Sequence, residues 1–416
     1  MADSAAAEDV ASVIKTGCVI VGAGPAGTIL ALLLARAGVR VTLLESHADF
    51  ARDFRGDTIH PSTLELLDQL GLAERLHELP HGKLGKAQII TPSGTLTLAD
   101  LSRLPSKFPY VMTLPQEKLL ELLVEAARAY DSFELVLQAN VQRLVDESGT
   151  VRGVRYRDTE NRWHEVQADL VVAADGRFSK IRKLAGIEPI GTAPPMDVVW
   201  FRLPKRPTDA AHDAELNIAG GRFAVLLDRA DQWQIGYVIL KGSFAQLRDT
   251  GIDALRRDVT QVVPWLADRI NELHDWKQTA VLNVESSMSP VWHMPGLLLI
   301  GDAAHVMSPV GGVGINVAIQ DAIAAANLLT GPLLTGVPTD DDLAAVQKLR
   351  EPAVKIVQRF QRAMQENIAK PGLTGKEFRL PWWMRLASHI PIVRDIPARM
   401  MAFGPHRVRY QEPGQR

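Results

Sequence analysis

Short apolar runs recur along the chain and alternate with amphipathic stretches. The first run, Cys18–Val21, leads into a glycine-rich turn, a helical stretch at Thr28–Ala37 and a second β-rich run at Val39–Leu44. Short runs without polar alternation are typical of parallel strands that are buried on both faces. The pattern therefore predicts a βαβ unit, preceded by a small, Ala-rich tail at residues 1–15 that we expect to be disordered.

Later segments predict further helices and strands. Amphipathic spacing favours helices, and apolar runs bounded by glycine or aspartate favour strands. The helices are predicted at Pro61–Leu70, Pro115–Tyr130, Ile252–Val263 and Leu343–Asn367, and the strands at Val151–Arg157, Trp163–Val166, Asp169–Ala173 and Leu297–Ile300, with a hairpin at Ala87–Leu98. Between about residues 191 and 284, short runs separated by Asp, Gly and Pro turns predict an antiparallel sheet.

Composition and charge narrow the functional classes. Hydrophobic residues make up 46% and charged residues 23% of the 416 residues, which is typical of a globular protein. The formal net charge of -2 argues against nucleic-acid binding, which needs a basic surplus. Cys18 is the only cysteine, which excludes internal disulfides and dithiol redox pairs and favours a cytoplasmic location. We predict no metal site and no stable membrane insertion, since no apolar run reaches the roughly 18 residues of a spanning helix.

Gly22, Gly24 and Gly27 form a GxGxxG pattern between the first strand and the first helix. In such a turn the first glycine permits the bend, the second lets the backbone approach a pyrophosphate, and the third lets helix pack on strand. Glu45 ends the next strand, 21 residues after Gly24, where a carboxylate can accept the ribose hydroxyls of an adenosine. The turn predicts dinucleotide binding. Its place near the N-terminus favours FAD over NAD without settling the choice.

Two further glycine motifs follow later apolar runs. Asp169–Arg182 reads DLVVAADGRFSKIR, and Leu297–Asn316 reads LLLIGDAAHVMSPVGGVGIN. Together with the first turn, they closely resemble the three fingerprints of the FAD-dependent aromatic hydroxylases of the para-hydroxybenzoate hydroxylase type, the group A flavoprotein monooxygenases. The resemblance spans roughly residues 16–370. It implies an α/β fold, with a Rossmann-like FAD-binding domain, an inserted and mostly antiparallel β-sheet substrate domain, and a C-terminal helical segment.

The β-rich insertions predict that the FAD-binding domain is discontinuous. We expect an FAD-binding domain at residues 15–83, 111–190 and 284–370, a substrate-binding domain at residues 84–110 and 191–283, and a C-terminal segment at residues 371–416. Pro391 and Pro397 divide that last segment into short pieces, which disfavours a helix lying on a membrane surface. We expect it to pack over the substrate domain or against the partner of a homodimer.

Transferred residue by residue, the resemblance implies a set of cofactor contacts. Asp175-Gly176 matches the family's Asp-Gly motif, which lies near the pyrophosphate and has been tied to NAD(P)H use. Gly301-Asp302 matches the family's Gly-Asp motif, whose aspartate accepts a hydrogen bond from a ribityl hydroxyl of FAD. Arg55 resembles an arginine beside the flavin and Gln116 a glutamine that contacts FAD; a surface arginine and a helix cap are the alternatives. The candidate cofactor-binding residues are Gly22, Gly24, Pro25, Ala26, Gly27, Glu45, Ser46, Arg55, Gln116, Asp175, Gly176, Arg182, Gly301, Asp302, Pro309, Gly312, Gly314, Ile315 and Asn316.

His60, Pro309 and Tyr237 are the candidates for catalysis. Pro309 opens a glycine-rich turn that leaves little side chain beside the flavin, and the helix behind it would stabilise negative charge on the reduced ring. His60 follows the proposed flavin loop and is a candidate base, because hydroxylation of a phenol benefits from deprotonation. Tyr237, with Trp200 and Phe223, is a candidate for lining the substrate pocket, ordinary core packing being the alternative.

The resemblance also implies the reaction. In the family NAD(P)H reduces FAD, O₂ adds at ring atom C4a, and the hydroperoxide delivers one oxygen atom to a phenolic or other electron-rich aromatic compound. We therefore expect non-covalent FAD, NADPH or NADH as a transient electron donor, and a small aromatic substrate with O₂ as partners. An epoxidase or saturase on the same fold, and a non-catalytic flavin-binding protein, are the alternatives. A flavin halogenase is disfavoured because the WxWxIP signature is absent.

Overall fold

The computed structural model describes residues 10–51, 57–209, 213–229, 231–369 and 391–412. The strands are β1 Val10–Val21, β2 Val41–Leu44, β3 Thr58–Ile59, β4 Gly82–Leu84, β5 Lys86–Thr91, β6 Gly94–Asp100, β7 Val111–Thr113, β8 Phe133–Val136, β9 Asn140–Glu147, β10 Thr150–Arg157, β11 Trp163–Ala173, β12 Ile190–Thr192, β13 Met196–Pro204, β14 Ala214–Ala219, β15 Arg222–Arg229, β16 Gln232–Leu240, β17 Ala280–Leu282, β18 Ser286–Met288, β19 His293–Met294, β20 Leu297–Leu299 and β21 His305–Val306. The α-helices are α1 Pro25–Arg36, α2 Pro61–Gln69, α3 Ala73–Glu78, α4 Gln116–Ala127, α5 Lys180–Leu184, α6 Phe244–Asp249, α7 Ile252–Val262, α8 Gly314–Thr335, α9 Asp340–Met364 and α10 Pro391–Phe403.

An eight-stranded main sheet carries the predicted βαβ unit. Its order is β19-β20-β11-β1-β2-β8, with β10 and β9 continuing from β11. β1 pairs in parallel with both β2 and β11, and β11 pairs in parallel with β20. Cys18 and Ile20 pack with α1, α4 and α8 on one face, whereas Val19 and Val21 pack with α9 on the other. Because both faces of β1 are covered, its sequence has no polar alternation at these positions.

Two strands are longer than the sequence predicts. β1 begins at Val10, so the end of the expected tail pairs with β11 from Trp163 onward. The side chains of Ser12 and Val13 are exposed, and for this reason the segment carries no buried pattern. Trp163–Ala173 is one continuous strand and not two, because β1 and β10 both pair with it across Gln167.

A seven-stranded sheet forms the other side of the molecule, in the order β17-β13-β16-β15-β14-β5-β6. Its pairs are antiparallel, except for the parallel pair of β14 with β5. The predicted antiparallel sheet and the predicted hairpin therefore join in one sheet. α7 packs on its outer face through Leu255 and Val259, while Val198, Phe223 and Val238 form a cluster on the opposite face. The exact domain bounds stay a prediction.

α8 is an apolar helix that packs on the main sheet together with α1; we call the main sheet and the helices that cover it the main-sheet layer. Among the described residues, Val310–Thr335 is the one segment long and apolar enough to cross a membrane. However, 72% of its apolar window is buried inside the structure, and Ile319 and Ala322 pack in the same cluster as α1. Burial of this extent is typical of a core helix in a globular protein.

α10 is continuous from Pro391 to Phe403, contrary to the prediction that prolines divide this segment. A proline at the first helical position costs no hydrogen bond, since that N–H has no acceptor within the helix. Pro397 does remove one bond, but Ala398 and Ala402 beside it are fully buried against the cluster that includes Leu101, and this packing holds the helix together. Residues 371–390 of the predicted C-terminal segment lie outside the described residues.

Candidate active site

A cavity of about 750 Å³ opens between the glycine turns of the main-sheet layer and the inner face of the seven-stranded sheet. The N-terminal ends of α1 and α8 both border it, through Gly24 and Gly314. The first N–H groups of a helix have no intrahelical acceptor, and they lie at the positive end of the helix dipole. The cavity therefore offers two separate positions that stabilise negative charge.

The predicted cofactor residues divide into those that line this cavity and those that do not. Ten line it: Gly24, Pro25, Ala26, Gln116, Gly176, Asp302, Pro309, Gly312, Gly314 and Ile315. Eight described residues are outside the lining: Gly22, Gly27, Glu45, Ser46, Asp175, Arg182, Gly301 and Asn316. Arg55 lies outside the described residues.

The three glycines of the first turn serve different neighbours. A Cβ on Gly22 would lie 2.5 Å from the carbonyl oxygen of Ala174, and one on Gly27 would lie 2.0 Å from the carbonyl oxygen of Gly22. Both glycines are therefore required by contacts within the protein. A Cβ on Gly24 would meet no protein atom within 4 Å. The open space at Gly24, at the N-terminus of α1, fits the diphosphate of FAD.

Glu45 lies beside this turn, at the end of β2. One carboxylate oxygen accepts the backbone N–H of Ala23 at 3.1 Å. The other accepts the Ser46 hydroxyl at 3.2 Å and lies 2.6 Å from Nδ1 of His47. The Glu45 carboxylate is thus held next to the glycine turn, where the adenosine ribose is expected. Ser46 contacts this carboxylate through its hydroxyl.

The loop that carries the Asp-Gly motif caps the N-terminus of α5 and joins this helix to the segment of the Gly-Asp motif. Asp175 accepts hydrogen bonds from the Ser179 hydroxyl at 2.5 Å and from the backbone N–H of Lys180 at 2.7 Å. Burial raises the pKa of Asp175, and these bonds oppose that effect. Arg182 is 5% exposed and donates to the carbonyl oxygen of Ala303 at 2.8 Å. Arg182 therefore joins this loop to the Gly-Asp segment.

A buried charge network, which the sequence analysis missed, supports the Gly-Asp motif from behind. Asp321 is fully buried, and it accepts the backbone N–H of Gly301 at 3.1 Å and Nε of Arg350 at 2.8 Å. Its carboxylate also lies 2.6 Å from Nε2 of His305. Burial raises the pKa of Asp321, but the charges of His305 and Arg350 outweigh burial and lower it overall. The network fixes Gly301, the residue before Asp302.

The sequence did carry a signal for this network. Arg350 stands on the buried stripe of α9, between Val346 and Val354. A charged residue at a core position of an amphipathic helix needs a buried partner of opposite charge. Asp321, in the apolar helix α8, is that partner.

His60 borders the cavity, but both of its ring nitrogens face carbonyl oxygens. Nε2 lies 2.9 Å from the oxygen of Gly312, and Nδ1 lies 2.7 Å from the oxygen of Met401 in α10. Burial lowers the pKa of His60, although the two carbonyls oppose that effect. A neutral imidazole has one N–H to share between them. The geometry therefore supports a role in holding Gly312 against α10 more than a role as a free base.

The structure does not bring Tyr237 to the cavity. Its ring packs with Trp233 and Ile235 on the outer face of the sheet, and its hydroxyl donates to Asp258 at 3.0 Å. Burial raises the pKa of Tyr237, and the negative charge of Asp258 adds to the effect. We therefore discard it as a catalytic candidate. Pro309, the third candidate, lines the cavity.

Apolar and aromatic side chains form the wall opposite the glycine turns. Trp200, Phe223, Val198 and Val238 all line the cavity. A Cβ on Gly236 would lie 2.8 Å from the indole of Trp200, so the indole lies across this glycine. The indole of Trp200 therefore presents a flat, apolar surface in this wall.

Polar groups interrupt this wall, among them Lys86, Gln88, Glu215 and Gln234 of the same sheet. Gln234 belongs to a buried polar cluster that the sequence did not reveal. Nη1 of Arg229 donates to Asp57 at 2.6 Å and to Oε1 of Gln234 at 2.9 Å. Asp57 also accepts the backbone N–H of Gln116 at 3.2 Å. Asp57 and Gln234 line the cavity. Nothing in the local sequence marks these residues, because they meet only in the folded chain.

A comparison with known families decides the identity of the site. Residues 15–361 match the sequence profile of the family described as "FAD binding domain". The chain belongs to this family. Its glycine turns, Asp302 and the helix N-termini around the cavity are the groups that fit FAD, which is the cofactor of this enzyme.

Relatives and solved structures agree with this assignment. The chain is 34% identical over 398 residues to the 6-methylpretetramide 4-monooxygenase of Streptomyces rimosus. The aligned region covers 95% of this chain and 94% of that protein. The OxyS anhydrotetracycline hydroxylase of the same species superposes with a TM-score of 0.75 at 26% identity, over 97% of this chain and 78% of that one. PqsL of Pseudomonas aeruginosa, a probable FAD-dependent monooxygenase, has a TM-score of 0.74 at 22% identity, over 87% and 99% of the chains, and shows the fold alone.

The family match and the fold thus confirm the resemblance. The protein is an FAD-dependent monooxygenase of the para-hydroxybenzoate hydroxylase type, with an α/β fold. The alternative functions, a saturase, an epoxidase and a non-catalytic flavin-binding protein, are not favoured by these comparisons.

Proposed function

We propose that this enzyme hydroxylates a polycyclic aromatic compound of the polyketide type. The observation that carries the proposal is the flat, apolar indole of Trp200, which lies across Gly236 in the wall of a cavity of about 750 Å³. A planar, fused-ring substrate fits such a wall better than a small polar one. The names of two similar proteins, which refer to pretetramide and anhydrotetracycline, support this substrate class.

Bound FAD supplies the redox chemistry, by accepting a hydride from NADPH or NADH and then activating O₂. We assign the binding of its diphosphate to the N-terminus of α1 at Gly24, and the binding of its ribose to Glu45. Asp302 holds the ribityl chain. The N-terminus of α8, from Gly312 to Gly314, stabilises negative charge at the edge of the reduced ring.

The wall of the cavity formed by Trp200, Phe223 and Val238, which we call the substrate wall, keeps water away from the reacting groups. Phe223 and Val238 are 1% and 6% exposed, and with Trp200 they present apolar surface to the cavity. A dry pocket strengthens electrostatic interactions within it and limits side reactions with water. We therefore assign to these side chains the orientation of the aromatic ring and its protection from solvent.

We further propose that the enzyme acts in the cytoplasm without membrane insertion. The burial of α8 inside the fold supports this view. We also predict that the protein forms a homodimer. Analytical ultracentrifugation of the purified protein, which measures its molecular mass in solution, tests this prediction.

Substrate-stimulated oxidation of NAD(P)H by the purified, FAD-loaded protein tests the proposal. We expect anhydrotetracycline to accelerate NAD(P)H oxidation at least tenfold over the rate without substrate, and 4-hydroxybenzoate to leave it nearly unchanged. Stimulation by 4-hydroxybenzoate alone would overturn the polycyclic assignment. No stimulation by any phenol would favour a non-catalytic flavin-binding protein, and product formation without O₂ uptake would favour a saturase.

A further inference from the structure

Gln234 is a buried polar side chain on the cavity-facing side of the seven-stranded sheet. Its partner in the strand register is Leu227, and both residues line the cavity. The flanking residues Trp233 and Ile235 point to the opposite face and pack with α7. Gln234 is 4% exposed. Its amide is therefore buried in the cavity wall beside Leu227, where a polar group costs free energy unless it has a partner.

Arg229 decides which end of this amide faces the cavity. Its Nη1 donates to Oε1 of Gln234 at 2.9 Å. A guanidinium has donors and no acceptor, so only the oxygen end of the amide can face it. The NH₂ end of Gln234 then points away from Arg229, and no hydrogen bond within the described residues uses it. At this position the cavity wall thus presents an oriented hydrogen-bond donor.

Gln234, Arg229 and Asp57 form one corner of the cavity, in which the positive and negative charges balance. Arg229 and Asp57 form an ion pair at 2.6 Å, and their side chains are 6% and 9% exposed. A second guanidinium nitrogen, Nη2 of Arg229, is buried and has no hydrogen-bond partner among the described residues. The corner therefore has more donors than acceptors but little net charge. Such a site suits an uncharged acceptor oxygen better than a carboxylate, whose charge would remain unpaired.

We propose that Gln234 donates its amide N–H to a carbonyl oxygen of the aromatic substrate. This inference rests on the proposed function, since it assumes that a polycyclic aromatic occupies the cavity. Gln234 then selects aromatic compounds that carry a ring carbonyl and determines how they are oriented against the wall of Trp200. Asp57 links this corner to the first residue of α4, because it also accepts the N–H of Gln116.

Two ligands that differ in their ring carbonyls test the proposal. The probes are 1,8-dihydroxyanthraquinone and 1,8-dihydroxyanthracene, titrated into the FAD-loaded protein without NAD(P)H and followed by quenching of protein fluorescence. Gln234→Glu keeps an acceptor for Arg229 but removes the donor. Gln232→Glu introduces the same charge two residues away, at a position outside the cavity lining, and is the matched control.

We expect the parent and Gln232→Glu to bind the quinone more tightly than the anthracene. In Gln234→Glu the dissociation constant of the quinone should rise about tenfold, and that of the anthracene by less than about twofold. A loss caused by general disruption of the pocket would weaken both ligands equally. If Gln234→Glu fails to fold, as judged by circular dichroism, Gln234→Leu replaces it, with the same selective loss expected.

The outcomes separate this inference from the proposed function. Equal quinone binding by the parent and Gln234→Glu would overturn the role of Gln234 and leave the polycyclic substrate class intact. Equal weakening of both ligands would also overturn it. If the parent binds neither compound, the proposed substrate class is wrong and the role of Gln234 falls with it.

Discussion

The two sides of the cavity are built in different ways. On the cofactor side, Gly24, Gly176 and Gly314 expose main chain at turns and helix N-termini, and we propose that this main chain does most of the binding. On the substrate side, side chains of β13, β15 and β16 form the surface, as Trp200 and Phe223 show. A backbone site needs glycine at fixed positions and tolerates little change. A side-chain wall can be altered one residue at a time, which allows relatives with one cofactor site to accept different substrates.

The largest expected effect tests whether the cofactor side depends on charges buried behind it. Asp321→Ala leaves Arg350 buried without its partner, so we expect a loss of about 3–5 kcal/mol in the free energy of unfolding. Asp340→Ala, which removes a half-exposed carboxylate in α9, is the control and should cost less than about 1 kcal/mol. Urea denaturation of the apoprotein measures both. A loss in Asp321→Ala no larger than in the control would contradict the account.

Asp302 provides the next test, because it lines the cavity from the cofactor side. Replacing it with Ala removes a charged acceptor for the ribityl chain, which is worth about 1.5–3 kcal/mol. FAD affinity should therefore fall by about one to two orders of magnitude. Fluorescence titration of FAD into the apoprotein measures this change. If the variant binds FAD as tightly as the parent, Asp302 does not contact the cofactor.

A pair of glycine variants separates packing from ligand binding within one turn. Gly27→Ala places a methyl group against the carbonyl of Gly22, so the apoprotein should lose about 1–3 kcal/mol of stability. Gly24→Ala meets no protein atom within 4 Å, so its apoprotein should keep its stability within about 0.5 kcal/mol, while FAD binding weakens. Thermal unfolding and FAD titration distinguish the two. Normal FAD binding by Gly24→Ala would show that the diphosphate lies elsewhere.

His60 gives the smallest effect, which appears as a pH dependence. Burial lowers its pKa in the folded state, so below about pH 6.5 the unfolded chain takes up a proton that the folded protein does not. The contribution of His60 to stability is therefore fully present above this pH and falls as the pH drops, with a slope of at most about 1.4 kcal/mol per pH unit.

The variant His60→Gln should have a shallower pH dependence of stability than the parent, because an amide does not titrate. His274→Gln, at an exposed histidine, should keep the pH dependence of the parent. Urea denaturation of the apoproteins at pH 5.5, 6.5 and 7.5 compares the slopes. Identical slopes in His60→Gln and in the parent would show that His60 does not carry the effect.

The difference between the two sides also explains which parts the sequence could predict. The spacing of Gly22, Gly24 and Gly27 reflects fixed backbone contacts, and these leave a pattern that can be read directly. β16 has no such pattern, since it is buried on both faces from Trp233 to Ile239. Without polar alternation, its two faces cannot be told apart, and Tyr237 was assigned to the wrong one.

Contacts between distant segments escaped the sequence analysis for a second reason. Gln234 and Arg229 are neighbours in a hairpin, but Asp57, the ion-pair partner of Arg229, lies 172 residues away from Arg229 along the chain. The pairing depends on how the seven-stranded sheet docks onto the main-sheet layer. Arg350 is different, because its place on a buried helix stripe pointed to a hidden partner even though it did not identify Asp321.

The most direct test of the central claim is the origin of the oxygen atom in the product. The FAD-loaded enzyme is supplied with NAD(P)H and anhydrotetracycline under ¹⁸O₂ in ordinary water, and the product is analysed by mass spectrometry. A monooxygenase places one ¹⁸O atom in each product molecule. Product that carries oxygen from water, or O₂ that is converted entirely to hydrogen peroxide while the substrate is unchanged, would contradict the account.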